Sequence, residues 1–201
     1  MKVLKFGGTS VANSESISNV ISILNSNRND NLLIVVSALG GITNLLQECL
    51  SLKGKSTDNV INEIEERHLE VINNLSDLNG QSSLKSFLKE NLNQLEDILD
   101  AISTIDEVTK KTVSKVLTLG ELLSSKIIYE ILVQKGFEIN YVNSKDLIFT
   151  KEVNENEVLD GDKSSINIKN NLDFSNSKMI IAPGYICSCL LYTSDAADDW
   201  S

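Results

Sequence analysis

Hydrophobic positions along the chain change period several times. Val3-Leu4-Lys5-Phe6 is a short strand-like run that meets Gly7-Gly8. From about Ser10, the apolar residues Ile17, Val20, Ile21 and Leu24 recur at helical spacing. A polar loop, residues 25–31, leads into Leu32-Leu33-Ile34-Val35-Val36. This continuous run predicts a strand buried on both faces. It too ends in glycines, Gly40-Gly41, and a helix is expected from Thr43. Two strand–glycine–helix units in fifty residues predict an α/β fold with a mainly parallel sheet.

The middle of the chain is helical. Ile61, Ile64, His68, Val71, Ile72 and Leu75 share one helical face; Leu84, Leu88, Leu92, Leu95, Leu99 and Ile102 share a second. Val113, Val116, Leu117, Leu123, Ile127 and Ile131 form a third. The helical block spans about 55–133, and Gly136 fits its C-terminal stop. Phe137, Ile139 and Tyr141 alternate with polar neighbours, so a strand returns there, and Leu147-Ile148-Phe149-Thr150 reads as another short one. Residues 151–177 read as loop and a weak helix, and Met179-Ile180-Ile181-Ala182 as a last buried strand before Pro183-Gly184.

Composition narrows the function classes. At about 150 residues per domain, 201 residues make one domain or one and a fraction. Eighteen Lys and Arg against 28 Asp and Glu leave a net charge of −10, which disfavours nucleic acid and membrane surfaces as partners. No apolar run approaches the roughly 18 residues of a membrane span, and the N-terminus lacks a signal-peptide core. Cys49, Cys187 and Cys189 have neither zinc nor redox spacing and read as free thiols of a cytoplasmic protein.

Three places could carry chemistry. Lys5-Phe6-Gly7-Gly8-Thr9-Ser10 puts a cation beside a glycine turn and a helix start, which suits a phosphate. An ordinary tight turn with Lys5 reaching to solvent is equally compatible. Gly40-Gly41-Ile42-Thr43 repeats the pattern, and ligands of parallel sheets sit outside the carboxyl ends of strands. Taken singly, Thr43 reads as a helix cap. Glu121 follows Gly120 in an apolar helix; spacing alone favours a solvated glutamate over a ligand for an ammonium group. His68, the one histidine, reads as a core residue, which leaves a Ser-His-Asp or zinc mechanism hard to assemble. The acidic runs Glu63-Ile64-Glu65-Glu66 and Glu96-Asp97 read as solvated helix faces.

Lys5-Phe6-Gly7-Gly8-Thr9-Ser10-Val11-Ala12 resembles the N-terminal signature of aspartate kinases. Gly41-Ile42-Thr43-Asn44-Leu45-Leu46, Gly120-Glu121-Leu122-Leu123-Ser124 and Ile181-Ala182-Pro183-Gly184-Tyr185-Ile186 resemble the family's next three motifs, in order. The opening and the helical block look most like the kinase part of bifunctional aspartate kinase/homoserine dehydrogenases. The resemblance implies the amino-acid kinase fold, a three-layer αβα sandwich. It also implies transfer of the ATP γ-phosphoryl group to the side-chain carboxylate of L-aspartate, giving 4-phospho-L-aspartate on the way to lysine, threonine and methionine. Lys5 would stabilise the transferring phosphoryl group, with Gly7, Gly8 and Ser10 in the phosphate-facing turn. Thr43 and Glu121 would hold the aspartate, Glu121 taking its α-ammonium. Mg²⁺ would arrive with ATP, no protein metal ligand is expected, and the full-length protein would be a homo-oligomer.

The resemblance covers residues 1–188. The family continues with a glycine-rich segment of the form G-R-G-G-S-D and an ATP-binding half, whereas 189–201 reads Cys-Leu-Leu-Tyr-Thr-Ser-Asp-Ala-Ala-Asp-Asp-Trp-Ser. The expectation is a truncated kinase domain, inactive alone, with a non-native tail. Other classes remain open: an acetylglutamate, glutamate or uridylate kinase type, or a non-catalytic binding protein that keeps the half-site.

Overall fold

The computed structural model describes residues 1–153 and 156–184. Among these described residues, six strands and six α-helices follow in the order β1 (Lys2–Phe6), α1 (Ser14–Ser26), β2 (Leu32–Val36), α2 (Ile42–Ser51), α3 (Asp58–Leu75), α4 (Leu78–Ile105), α5 (Lys110–Gln134), β3 (Ile139–Tyr141), β4 (Thr150–Val153), β5 (Asn156–Leu159), α6 (Gly161–Asn171) and β6 (Met179–Pro183). The main sheet has the order β1-β2-β6-β3, and every pair in it is parallel. β4 and β5 form a separate antiparallel hairpin.

One face of the sheet, with Phe6, Leu32, Ile34, Val36, Met179 and Ile181, packs into a continuous core with α1 to α5. The register aligns the strand ends: Phe6 pairs with Val36, and Val36 with Pro183. Three chain segments therefore leave the sheet along a single edge.

Local chemistry explains where the helices begin and end. The side chains of Asn13, Asp77, Thr109 and Asp160 accept from the first-turn amides of α1, α4, α5 and α6. Gly136 stops α5 as expected, with φ +74, Gly136 N–H bonded to Val133 O and Phe137 N–H to Leu132 O at 3.0 Å. Arg28 ties this corner to the end of α1, donating to Gly136 O at 3.0 Å and lying 3.9 Å over the Phe137 ring.

The helical block and the first and last strands stand where the periodicity put them. Three details differ. Helix α1 starts at Ser14, not near Ser10, because Gly8–Val11 makes a single 3-10 turn and Asn13 supplies the cap. Leu33 and Val35 are only half-buried, so β2 is fully buried on one face alone. Across the other face, Leu147, Ile148, Leu159 and Ile168 stand over Val3, Leu33, Val35 and Ala182 with an open hollow of about 520 Å³ between them. The expected strand at 147–150 is mostly absent: Ser144–Asp146 is a 3-10 turn, and strand pairing begins at Thr150 with a hairpin that the polar composition concealed. The expected boundary at 188, the tail 189–201, Cys187 and Cys189 lie outside the described residues.

Candidate functional site

The carboxyl ends of β1, β2 and β6 continue into the segments at Gly7, Ser37 and Gly184. Ser37 N–H bonds Phe6 O at 3.0 Å and Gly184 N–H bonds Val36 O at 2.9 Å, so the sheet ladder carries one residue past each strand. The two glycine turns touch. A Cβ added at Gly40 would lie 2.8 Å from Ala12 Cβ and 3.2 Å from Gly8 O. At Gly7 an added Cβ would meet nothing within 4 Å, and its φ of −72 is open to any residue. The space above Gly7 therefore answers no packing need, which suits an approaching ligand.

Helix α5 brings the carboxylate. Gly120 lets the helix press against the second turn, since a Cβ there would sit 3.0 Å from Ala38 Cβ and 3.1 Å from Ile42 Cγ2. Ser124 pins the same approach by donating to Ser37 O at 2.7 Å. Glu121, one turn before Ser125, is thereby buried, 8% exposed, with Oε2 3.2 Å from where a Gly184 Cβ would stand. The solvated glutamate expected from spacing is overturned: the close packing that Gly120 allows carries its neighbour inward. A buried carboxylate is costly unless a cation or donors meet it.

Lys5 is exposed on the sheet face opposite the helical core and lines the hollow with Val35, Ser144, Pro183 and Gly184. Gly184 thus has the Glu121 carboxylate against it and shares with Lys5 the lining of the hollow. Thr43 is exposed at the second residue of α2, and the cap position belongs to Gly41, so Thr43 does not act as a cap. Ser10 N–H bonds Gly7 O at 2.8 Å, which closes the first turn. Lys5, Gly7, Gly8, Ser10, Thr43 and Glu121 all lie on segments that meet at this one edge. His68 is buried on its helical stripe, as its spacing predicted.

Arg67 was not singled out by its sequence, which hides it in an acidic run. Its guanidinium donates to Gly40 O at 2.6 Å and to Glu63 Oε1 at 2.6 Å. The (i, i+4) spacing of Glu63 and Arg67 signals the ion pair, but not that its cation reaches another element.

A model of the amino acid kinase family matches residues 1–194. The chain belongs to the amino acid kinase family. Within that family its relatives are aspartokinases. The bifunctional aspartokinase/homoserine dehydrogenase of Buchnera aphidicola is 30% identical over 195 residues, covering 92% of this chain and 24% of the relative. The aspartokinase of Chlamydia pneumoniae is 30% identical over 150 residues, covering 75% of this chain and 31% of its own length. Among solved structures, E. coli aspartokinase III with aspartate and ADP superposes with a TM-score of 0.79 at 21% identity, covering 92% of this chain and 40% of that one. The Clostridium acetobutylicum aspartate kinase gives 0.71 at 22% identity, covering 96% and 41%. These likenesses establish the amino-acid kinase fold. The chain spans less than half the length of each of these relatives.

Among the described residues, no group of three or more His, Cys, Asp or Glu could hold a metal ion, and no helix is long and apolar enough to cross a membrane.

Proposed function

We propose that this chain forms the acceptor side of an aspartate kinase, holding L-aspartate while its side-chain carboxylate receives the γ-phosphoryl group of ATP. The observation that carries the proposal is Glu121, a carboxylate buried against Gly184 at the strand edge where both glycine turns converge. An α-amino acid brings an ammonium group, and a buried carboxylate is its complement. Thr43, exposed on the second turn, supplies a hydroxyl for the same ligand. The aspartokinase names of the relatives and the aspartate and ADP bound by the E. coli enzyme point the same way.

In the reaction, a carboxylate oxygen of aspartate attacks the γ-phosphorus. The new O–P bond forms as the bond to the β–γ bridging oxygen of ATP breaks, and ADP leaves with that electron pair. Such transfers depend on alignment and on neutralising charge over the phosphoryl oxygens, more than on a protein base. Lys5, two residues before the first turn, supplies the positive charge for this purpose, and the open space at Gly7 leaves room for the phosphate beside Gly8 and Ser10. Mg²⁺ would come with ATP as part of the substrate and would supply further positive charge to its phosphates.

Calorimetric titration with L-aspartate tests the binding half of the proposal, and hydroxamate trapping of aspartyl phosphate tests the chemistry in the full-length protein. Glu121→Gln should weaken L-aspartate binding at least tenfold, as expected for losing one buried charge-assisted contact. Lys5→Ala should abolish hydroxamate formation while leaving aspartate binding in place. Turnover that survives Lys5→Ala counts against its role, and unchanged binding in Glu121→Gln counts against the acceptor site.

A further inference from the structure

We propose that α3 braces the acceptor site, with Arg67 and Glu70 as positioning residues that hold the two glycine turns in one fixed relation. This rests on the reading of the crevice as the aspartate site, because the brace acts through the turns and not on the ligand.

The turns meet through Gly40, Gly8 and Ala12. Contact between small groups fixes their distance but leaves their relative rotation soft. Helix α3 supplies directional bonds to the second turn and to the start of α1, two residues past Ala12. Toward the second turn, Arg67 Nη1 donates to Gly40 O at 2.6 Å, and Glu63, one helical turn back, holds Nη2 at 2.6 Å. A peptide unit is planar and trans, so fixing the Gly40 carbonyl aims the Gly41 N–H to the opposite side, away from α3. Gly41 is left-handed at φ +81, and a Cβ there would lie 2.4 Å from Arg67 Nη1. The glycine and the arginine are therefore matched: one vacates the space that the other fills.

Toward the first turn, Glu70 accepts from Ser14 N–H at 3.1 Å and from the Ser14 hydroxyl at 2.5 Å, while Asn74 donates to the same carboxylate at 2.8 Å. Ser14 is the first residue of α1, directly after Ala12 and the cap Asn13. A carboxylate suits this end of a helix, where amides lack partners. Arg67 and Glu70 stand three residues apart, so both project from one side of α3. One rigid helix thereby holds the entrance of α1 and the peptide before α2.

The test reads amide exchange and L-aspartate binding on the same protein. Ile42 N–H bonds Leu39 O and Leu45 N–H bonds Gly41 O, so these amides report the second turn. Arg67→Met should speed their exchange about tenfold, the effect of one charge-assisted hydrogen bond, and weaken aspartate binding by a similar factor. Amides of Leu92 and Leu95 in α4 should not change. Arg67→Lys, which keeps one donor, should recover about half of the logarithmic loss, and Glu66→Ala, on an exposed position, should do nothing. Unchanged exchange in Arg67→Met overturns the brace, as does equal acceleration in α4 or no recovery with lysine. If Arg67→Met fails to fold, Arg67→Lys decides alone by the same local-against-global comparison. Wild-type protein that binds no aspartate defeats the acceptor site, whereas the exchange measurement still judges the brace.

Discussion

Gly40 lies so close to Ala12 that a Cβ added at position 40 would meet the Ala12 Cβ at 2.8 Å. The neighbours are backbone and a Cβ, with no flexible side chain to swing away. Gly40→Ala must therefore separate the turns. Overpacking of this kind costs about 1–3 kcal/mol, and urea unfolding should report a loss in that range. Aspartate affinity should fall with it, while a folded protein of unchanged stability would show the turns to be compliant.

Ser124 links α5 to the second turn through Ser37 O at 2.7 Å and is fully buried. Ser124→Ala leaves that carbonyl without its side-chain donor. The expected loss is about 1–3 kcal/mol, measured by thermal unfolding. Because Glu121 rides on the same helix, aspartate binding should weaken even though Ser124 need not touch the ligand.

His68 gives the fold a pH dependence. Burial pushes its imidazole down to about 4, against the partial upward pull of the Ile64 carbonyl, which Nδ1 meets at 2.7 Å. That carbonyl assigns the proton to Nδ1 and leaves the buried Nε2 without a partner. The unfolded chain takes up a proton near 6.5, so between 6.5 and about 4 it binds more protons than the folded one. Stability contributed here is complete above 6.5, falls as the pH drops toward 4 and is flat below, with a span on the order of 3 kcal/mol. His68→Leu should flatten that slope in urea unfolding series from pH 7 to 4. Parallel slopes would count against it. Glu70 acts lower: burial pushes its carboxyl up, but the Ser14 and Asn74 hydrogen bonds pull it below 4.5 overall. Its contribution is present above 4.5 and is lost as the pH falls through the depressed value.

Cys49 is buried in the core, and burial together with the neighbouring Glu48 charge pushes its thiol up to about 11. Thiolate is the reactive form, so alkylation at pH 8 should spare Cys49 while the protein is folded. Peptide mass mapping after iodoacetamide treatment checks this, with full labelling expected once urea unfolds the chain.

What the sequence disclosed and what it hid divide along a physical line. Periodicity located α3, α4 and α5 because each buries one stripe, and β6 because its five residues are all buried. The motifs located Lys5, Gly7, Thr43 and Glu121 on segments that share one sheet edge. The burial of Glu121 was not legible, since it depends on Gly120 meeting Ala38 and Ile42 from distant segments. Arg67 was illegible for a similar reason: nothing in an acidic helical run tells that its guanidinium reaches Gly40. The hairpin at Thr150–Leu159 was missed because strands in a small polar hairpin carry no apolar alternation.

The register that aligns Phe6, Val36 and Pro183 also joins segments far apart in the chain. β1 and β2 are near neighbours in the chain, whereas β6 stands between β2 and β3 and pairs with β2 across residues 37–178. Pairings across such separations are the slow ones. Gly184 follows β6 directly and has Glu121 against it, so the crevice depends on a long-range pairing and exists only in the finished sheet.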